Sequence, residues 1–251
     1  MTIPDAALAE RFRRARKDPC LAVLEGLHAL KHALRFGADV EQAVAIDPVA
    51  LARLAEDFAP DVAGRIAGLA RPVPAEVFAS LAPAPPGTGV IAIARRPACD
   101  VAGLLAEPGI GLVVLLERPT HPGNVGAVVR VAAAAGAAGV LTTGALDPWQ
   151  PAALRGSAGL HFALPVIRVE TLPTTERPLV ALDPAGEVLV PGSLPTGAVL
   201  AFGTERGGLS AGLRARADWR LALPMRPGVS SLNLATAVAA VLYSARLHPN
   251  G

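Results

Sequence analysis

From residue 109 to its end, the chain repeats one pattern: a short apolar strand, a polar turn carrying Gly or Pro, then a helix. Residues 110–116 are an apolar, β-branched run; 118–123 make a Pro/Gly-rich turn, and 125–135 read as a helix. Further strands are expected at 140–142, 164–169, 179–182, 199–202 and 221–223, with a helix around 151–157. A long, mostly apolar helix over 231–247 closes the chain. Strands that are apolar without alternation have no face to offer to water. They fit a mainly parallel α/β sheet covered by helices on both faces. A final helix that is apolar nearly all round is expected to be buried, in part against a second copy of the chain.

The first 96 residues have a rhythm of their own. An apolar run at 21–24 leads into a helix over 27–36 closed by Gly37, a strand follows at 40–46, and Asp47-Pro48 opens an amphipathic helix. Another strand-like run spans 87–94, so this part reads as a small α/β domain over 1–96. The Pro/Gly-rich stretch 82–89 is followed at once by that strand and reads as an internal loop. The break falls instead in a linker at 97–108, with the second domain at 109–251. Residues 1–17 mix Asp5 and Glu10 with five basic side chains and are expected to form a flexible tail.

Several classes can be set aside. The N-terminus lacks a signal-peptide core. The apolar run 131–141 is shorter than the roughly 20 residues a membrane-spanning helix needs. The expectation is a soluble, cytoplasmic protein. Cys20 and Cys99 match no metal-ligand or disulfide spacing, and no metal is expected. The net charge of +2 argues little by itself, but nearly all the positive charge is arginine, whose planar fork suits phosphate.

Three clusters stand at the carboxyl ends of expected strands, where open α/β sheets bind ligands. The first, NVGAVVRVAAAAG, runs from Asn124 to Gly136 and sets Arg130 four residues after Gly126. A guanidinium in an apolar helix must be paired, reach solvent or face a ligand. The second, LAFGTERGGLS, is a strand running into a glycine turn that lets backbone approach a ligand closely. It lacks the Gly-Lys-Ser/Thr ending of a phosphate-binding loop, and no GxGxxG occurs anywhere. Its Glu205 could equally compensate a helix N-terminus. The third, LPMRPGVSSLNLATA, places Ser231 as the N-cap of the final helix and Asn233 in its first turn. Such a helix end can also hold phosphate or ribose.

In order, spacing and wording, these three motifs resemble the SpoU (TrmH-like) branch of the SPOUT RNA methyltransferases. The segment Arg155-Gly156-Ser157-Ala158-Gly159 matches a feature of the same family. The resemblance covers 109–247, and more faintly 24–37 is similar to the RNA-binding domain that precedes the catalytic domain in many members.

The resemblance implies a C-terminal domain tied in a deep trefoil knot, a homodimer, and S-adenosylmethionine as cofactor. Positions Gly203, Leu223 and Leu232, with Thr204 and Met225, would hold that cofactor. Asn124, Arg130, Glu205, Ser231 and Asn233 would line the catalytic site. The implied substrate is RNA, rRNA ahead of tRNA, methylated on a ribose 2′-hydroxyl. Three positions depart from the usual pattern: His121 where an acid is common, Ala152 for a lysine, and Thr204 for an asparagine. Because a guanidinium stays protonated, Arg130 is expected to orient the hydroxyl and stabilise the developing alkoxide rather than to act as a base. A non-catalytic RNA-binding relative and a base-methylating SPOUT enzyme are the alternatives.

Overall fold

The computed structural model describes residues 5–106, 111–204, 207–229 and 231–248. In chain order, the elements begin α1 (Asp5–Ala15), β1 (Leu21–Glu25), α2 (Leu27–Arg35), β2 (Val40–Ala45), α3 (Pro48–Phe58) and α4 (Ala63–Leu69). Next come β3 (Ala70–Pro72), α5 (Ala75–Ser80), β4 (Val90–Arg95), α6 (Val101–Ala106), β5 (Val113–Leu116) and α7 (Pro122–Ala135). They continue as β6 (Gly139–Thr142), α8 (Pro151–Gly156), a 3-10 turn (Leu160–Phe162), β7 (Val166–Arg168) and β8 (Leu179–Val188). The last are β9 (Val199–Phe202), α9 (Ala211–Arg216), β10 (Trp219–Ala222) and α10 (Leu234–Leu247). Two units divide the chain: 1–98 with 149–163, and 99–148 with 164–251.

The first unit holds a four-stranded sheet in the order β1-β4-β2-β3, antiparallel except between β2 and β3. Its helix α3 starts where the sequence requires it. The Asp47 carboxylate accepts the backbone N–H groups of Val49 and Ala50, and Pro48 occupies the first turn, where it costs no hydrogen bond.

Three expectations need correction. Residues 5–15, placed in a flexible tail, form α1, because Leu8, Phe12 and Ala15 fall on one helical face and are buried. The expected linker 97–108 contains α6, whose Leu105 joins the core of the second unit. The segment 149–163, expected within the C-terminal domain, packs in the first unit. There Trp149 lies 5.0 Å from the ring of fully buried His161, whose Nδ1 is 2.7 Å from the Ser157 hydroxyl.

That segment is also fixed by charge. The side chain of Glu25 is 1% exposed and pairs with both Arg16, at 2.8 Å, and Arg155. A buried carboxylate is tolerated only when so satisfied. Glu25→Gln is therefore expected to lower stability by about 3 kcal/mol, read as a reduced urea midpoint. An unchanged midpoint would mean that the paired arginines contribute no net stabilisation.

The second unit is a six-stranded sheet, β10-β8-β9-β5-β6-β7, with every neighbouring pair parallel. Helices cover it, as the unbroken burial of β5, β6 and β9 requires. Val113, Leu115 and Leu141 share one core with Leu105 of α6 and Leu213 of α9. One irregularity matters for the site. Against β10, Ala181 pairs with Arg220 but Glu187 pairs with Leu221, so residues 182–186 bulge out of the ladder. Gly186 permits this: a Cβ there would lie 2.4 Å from the Arg220 carbonyl oxygen. Among the described residues no helix is long and apolar enough to cross a membrane, and no His/Cys/Asp/Glu group is placed to hold a metal ion.

Candidate functional site

At the end of β9 the buried strand gives way to Gly203 and a tight loop. Thr204 and Gly208 exchange backbone hydrogen bonds of 3.2 and 3.0 Å, and the Gly207 N–H donates to the Thr204 hydroxyl at 2.9 Å. The loop folds back on Gly203 so closely that a Cβ there would stand 2.0 Å from the Gly208 carbonyl carbon. Gly208 itself takes a left-handed φ of +61°. This geometry shows why the motif carries glycine at both positions.

Next to this loop lies a cavity of about 290 Å³. All five residues expected to hold the cofactor, Gly203, Thr204, Leu223, Met225 and Leu232, line it, and so does Ser231. They come from two of the motifs: the end of β9, and the segment that runs from the end of β10 to the start of α10. Phe202, Leu221 and Leu234 complete an apolar wall.

The catalytic candidates divide. Asn124 and Asn233 meet: the Asn233 amide donates to the Asn124 side-chain oxygen at 3.2 Å, joining the starts of α7 and α10. Asn233 also caps α10 by accepting the Ala235 N–H at 2.9 Å. The cap is thus Asn233 rather than Ser231, and the helix begins at Leu234 instead of 231. Ser231 is left to face the cavity. Arg130 stands apart on the exposed side of α7, about 9 Å further along the axis. Gly126, expected on the same face, is buried. Arg130 has no hydrogen bond or ion pair among the described residues, so its guanidinium carries none of the cost expected for burial in an apolar helix. Glu205 lies outside the described residues.

One lining residue escaped the sequence reading. Asp183 sits on the bulge of β8, is only 9% exposed, and borders the same cavity. Its Oδ1 accepts the Ala185 N–H at 3.0 Å, and its Oδ2 accepts a bond from Arg220 at 2.9 Å. The backbone N–H, more than Arg220, holds its carboxyl below the usual carboxylate range against the opposing effect of burial. Asp-Pro-Ala-Gly reads locally as a turn after a strand, which hid it. The available signal was an acid at the carboxyl end of a buried apolar strand.

Comparison with known proteins gives concordant results. The SpoU rRNA Methylase family matches residues 111–243. A 23S rRNA (uridine(2479)-2′-O)-methyltransferase of Streptomyces viridochromogenes is 36% identical over 173 residues, which is 62% of this chain and 59% of that protein. The chain thus spans less than two thirds of that relative's length. An uncharacterized tRNA/rRNA methyltransferase of Synechocystis is 32% identical over 245 residues, 93% of this chain and 86% of its own. Among solved structures, an AdoMet-bound rRNA methyltransferase from Sinorhizobium meliloti superposes with a TM-score of 0.76 at 25% identity, over 99% of this chain and 97% of that one.

Proposed function

The chain belongs to the SpoU rRNA methylase family, and from that membership we propose that it transfers a methyl group from S-adenosylmethionine to a ribose 2′-hydroxyl of RNA. The observation that carries the proposal is the convergence of the second and third motifs on one cavity, with the first motif joined to them by the Asn124–Asn233 contact. The residues present fit the cofactor. Leu223, Leu232 and their apolar neighbours suit a purine, while Gly203 brings backbone to the cavity edge, where a side chain would collide with the backbone of Gly208. Gly203, Thr204, Leu223, Met225 and Leu232 would hold the cofactor, which supplies the electrophilic methyl carbon when bound.

The chain's own residues then have little bond-making to do, and their work is positioning. Asn124, Asn233 and Ser231 fix the ribose and the phosphate beside it, near the positive end of α10. Arg130 donates to the 2′-oxygen and stabilises its growing negative charge as the proton departs to a neighbouring phosphate or water. Glu205 steadies Arg130 or Asn124. The first unit, 1–98 with 149–163, selects the RNA. Relatives named for rRNA support rRNA as the substrate ahead of tRNA.

The catalytic unit works as a knotted homodimer in the cytoplasm. An exposed strip on α10 supports the dimer: Thr236, Ala240, Tyr243 and Leu247 follow one another at helical spacing, with Leu247 70% exposed.

The test is methylation of ribosomal and transfer RNA by purified protein with labelled cofactor. Ribose marks are mapped as phosphodiesters that resist alkaline hydrolysis. One new resistant position, absent with Arg130→Ala, is the expected result. Label confined to bases, or absent from both RNA pools, would overturn the assigned reaction.

A further inference from the structure

We propose that Asp183 is a cofactor-positioning residue whose carboxylate accepts hydrogen bonds from the ribose diol of S-adenosylmethionine. The inference rests on the reading of the 290 Å³ cavity as the cofactor site and deepens it.

The argument starts from the bulge. A regular β8 would keep residues 182–186 in the ladder with β10; instead they leave it, at a point where only glycine fits position 186. Bulges of this kind re-aim side chains. Here the result is an acid at the border of an otherwise largely apolar cavity, 9% exposed. Burying a carboxylate is expensive; a neutral residue could accept the Ala185 N–H as well, and the half-exposed Arg220 and Arg214 do not need a buried partner. The two bonds it makes, to Ala185 and to Arg220, occupy one lone pair on each oxygen and leave the others for a ligand.

Charge decides which part of the cofactor it takes. Arg220 lies 2.9 Å and Arg214 3.9 Å from Oδ2, so the single negative charge already faces two guanidinium groups. An α-ammonium or a sulfonium placed at the same carboxylate would be repelled by both. Hydroxyl groups carry no such penalty. A vicinal diol also matches the spacing of a carboxylate, with each hydroxyl able to donate to one oxygen.

The test is a binding cycle without turnover. Affinities of wild type, Asp183→Asn and Asp183→Ala are measured by calorimetry for S-adenosylhomocysteine, for 5′-methylthioadenosine, and for the 2′,3′-dideoxy form of the latter. The Asn variant keeps an acceptor for the Ala185 N–H and guards against loss of the fold. In wild type, removing the diol is expected to weaken binding about ten- to hundred-fold. In either variant the same change in ligand is expected to cost less than about threefold, the mark of a direct coupling. An equal diol penalty in variant and wild type would overturn the proposal. So would a loss confined to S-adenosylhomocysteine, which would assign the carboxylate to the ammonium. Wild-type protein binding neither S-adenosylhomocysteine nor 5′-methylthioadenosine would instead sink the reading of the cavity itself.

Discussion

Arg130→Ala is expected to lower methyl-transfer turnover by about 10²- to 10³-fold, the scale on which loss of one preorganised donor to a developing oxyanion is felt. The variant should otherwise be intact. Arg130 is exposed on α7 and packs no core, so the unfolding free energy should stay within about 0.5 kcal/mol of wild type. Affinity for S-adenosylhomocysteine should not move, because Arg130 does not line the cavity. Arg130→Lys should recover only a small part of the loss, since a point charge does not reproduce the planar fork. Single-turnover rates, set beside cofactor binding, separate these effects. Near-normal turnover in either variant would remove Arg130 from the reaction.

Gly203→Ala should act by another route. The added methyl would stand 2.0 Å from the Gly208 carbonyl carbon and 2.3 Å from both its oxygen and the Leu209 nitrogen, and none of these can rotate away as a side-chain tip could. The backbone pairing of Thr204 with Gly208 must therefore open, with a stability loss of about 3 kcal/mol or more and S-adenosylhomocysteine binding reduced below detection. Gly212→Ala is the matched control. Beyond its own turn of helix no atom lies within 4 Å of its added methyl, and within α9 alanine should stabilise by up to about 1 kcal/mol. Wild-type binding by Gly203→Ala would show that the loop can refold around the methyl.

The sequence made these residues visible to different degrees, for physical reasons. Buried parallel strands leave an unmistakable trace: β5 and β9 are each four consecutive buried apolar residues, and both lie where their runs predict. The Asp47-Pro48 start of α3 was equally plain, because a cap and a proline act locally. The first helix was hidden because Leu8, Phe12 and Ala15 are its buried positions in a stretch otherwise full of charge. The cap of α10 was misplaced because Ser231 and Asn233 both suit the role, and only the backbone decides between them. Asp183 was missed because a bulge is a property of two strands and is written in neither alone. That Asn124 and Asn233, 109 residues apart, share a site was implied by the family resemblance rather than by any local pattern, and their hydrogen bond is legible only in the fold.

The placement of 149–163 with the N-terminal unit bears on how such a chain can be inherited. A gene cut after residue 98 would not separate two self-sufficient modules. The downstream piece would carry Trp149, Leu154 and His161 with nothing to bury them, and the upstream piece would keep Glu25 without Arg155. Recombination that swapped only the first 98 residues for those of a distant relative would have to find an acid and a groove to fit this borrowed segment. Residues 1–98 and 149–163 are thus bound to evolve as a pair, and a change in the first should leave its imprint in the second, about fifty residues downstream of the cut.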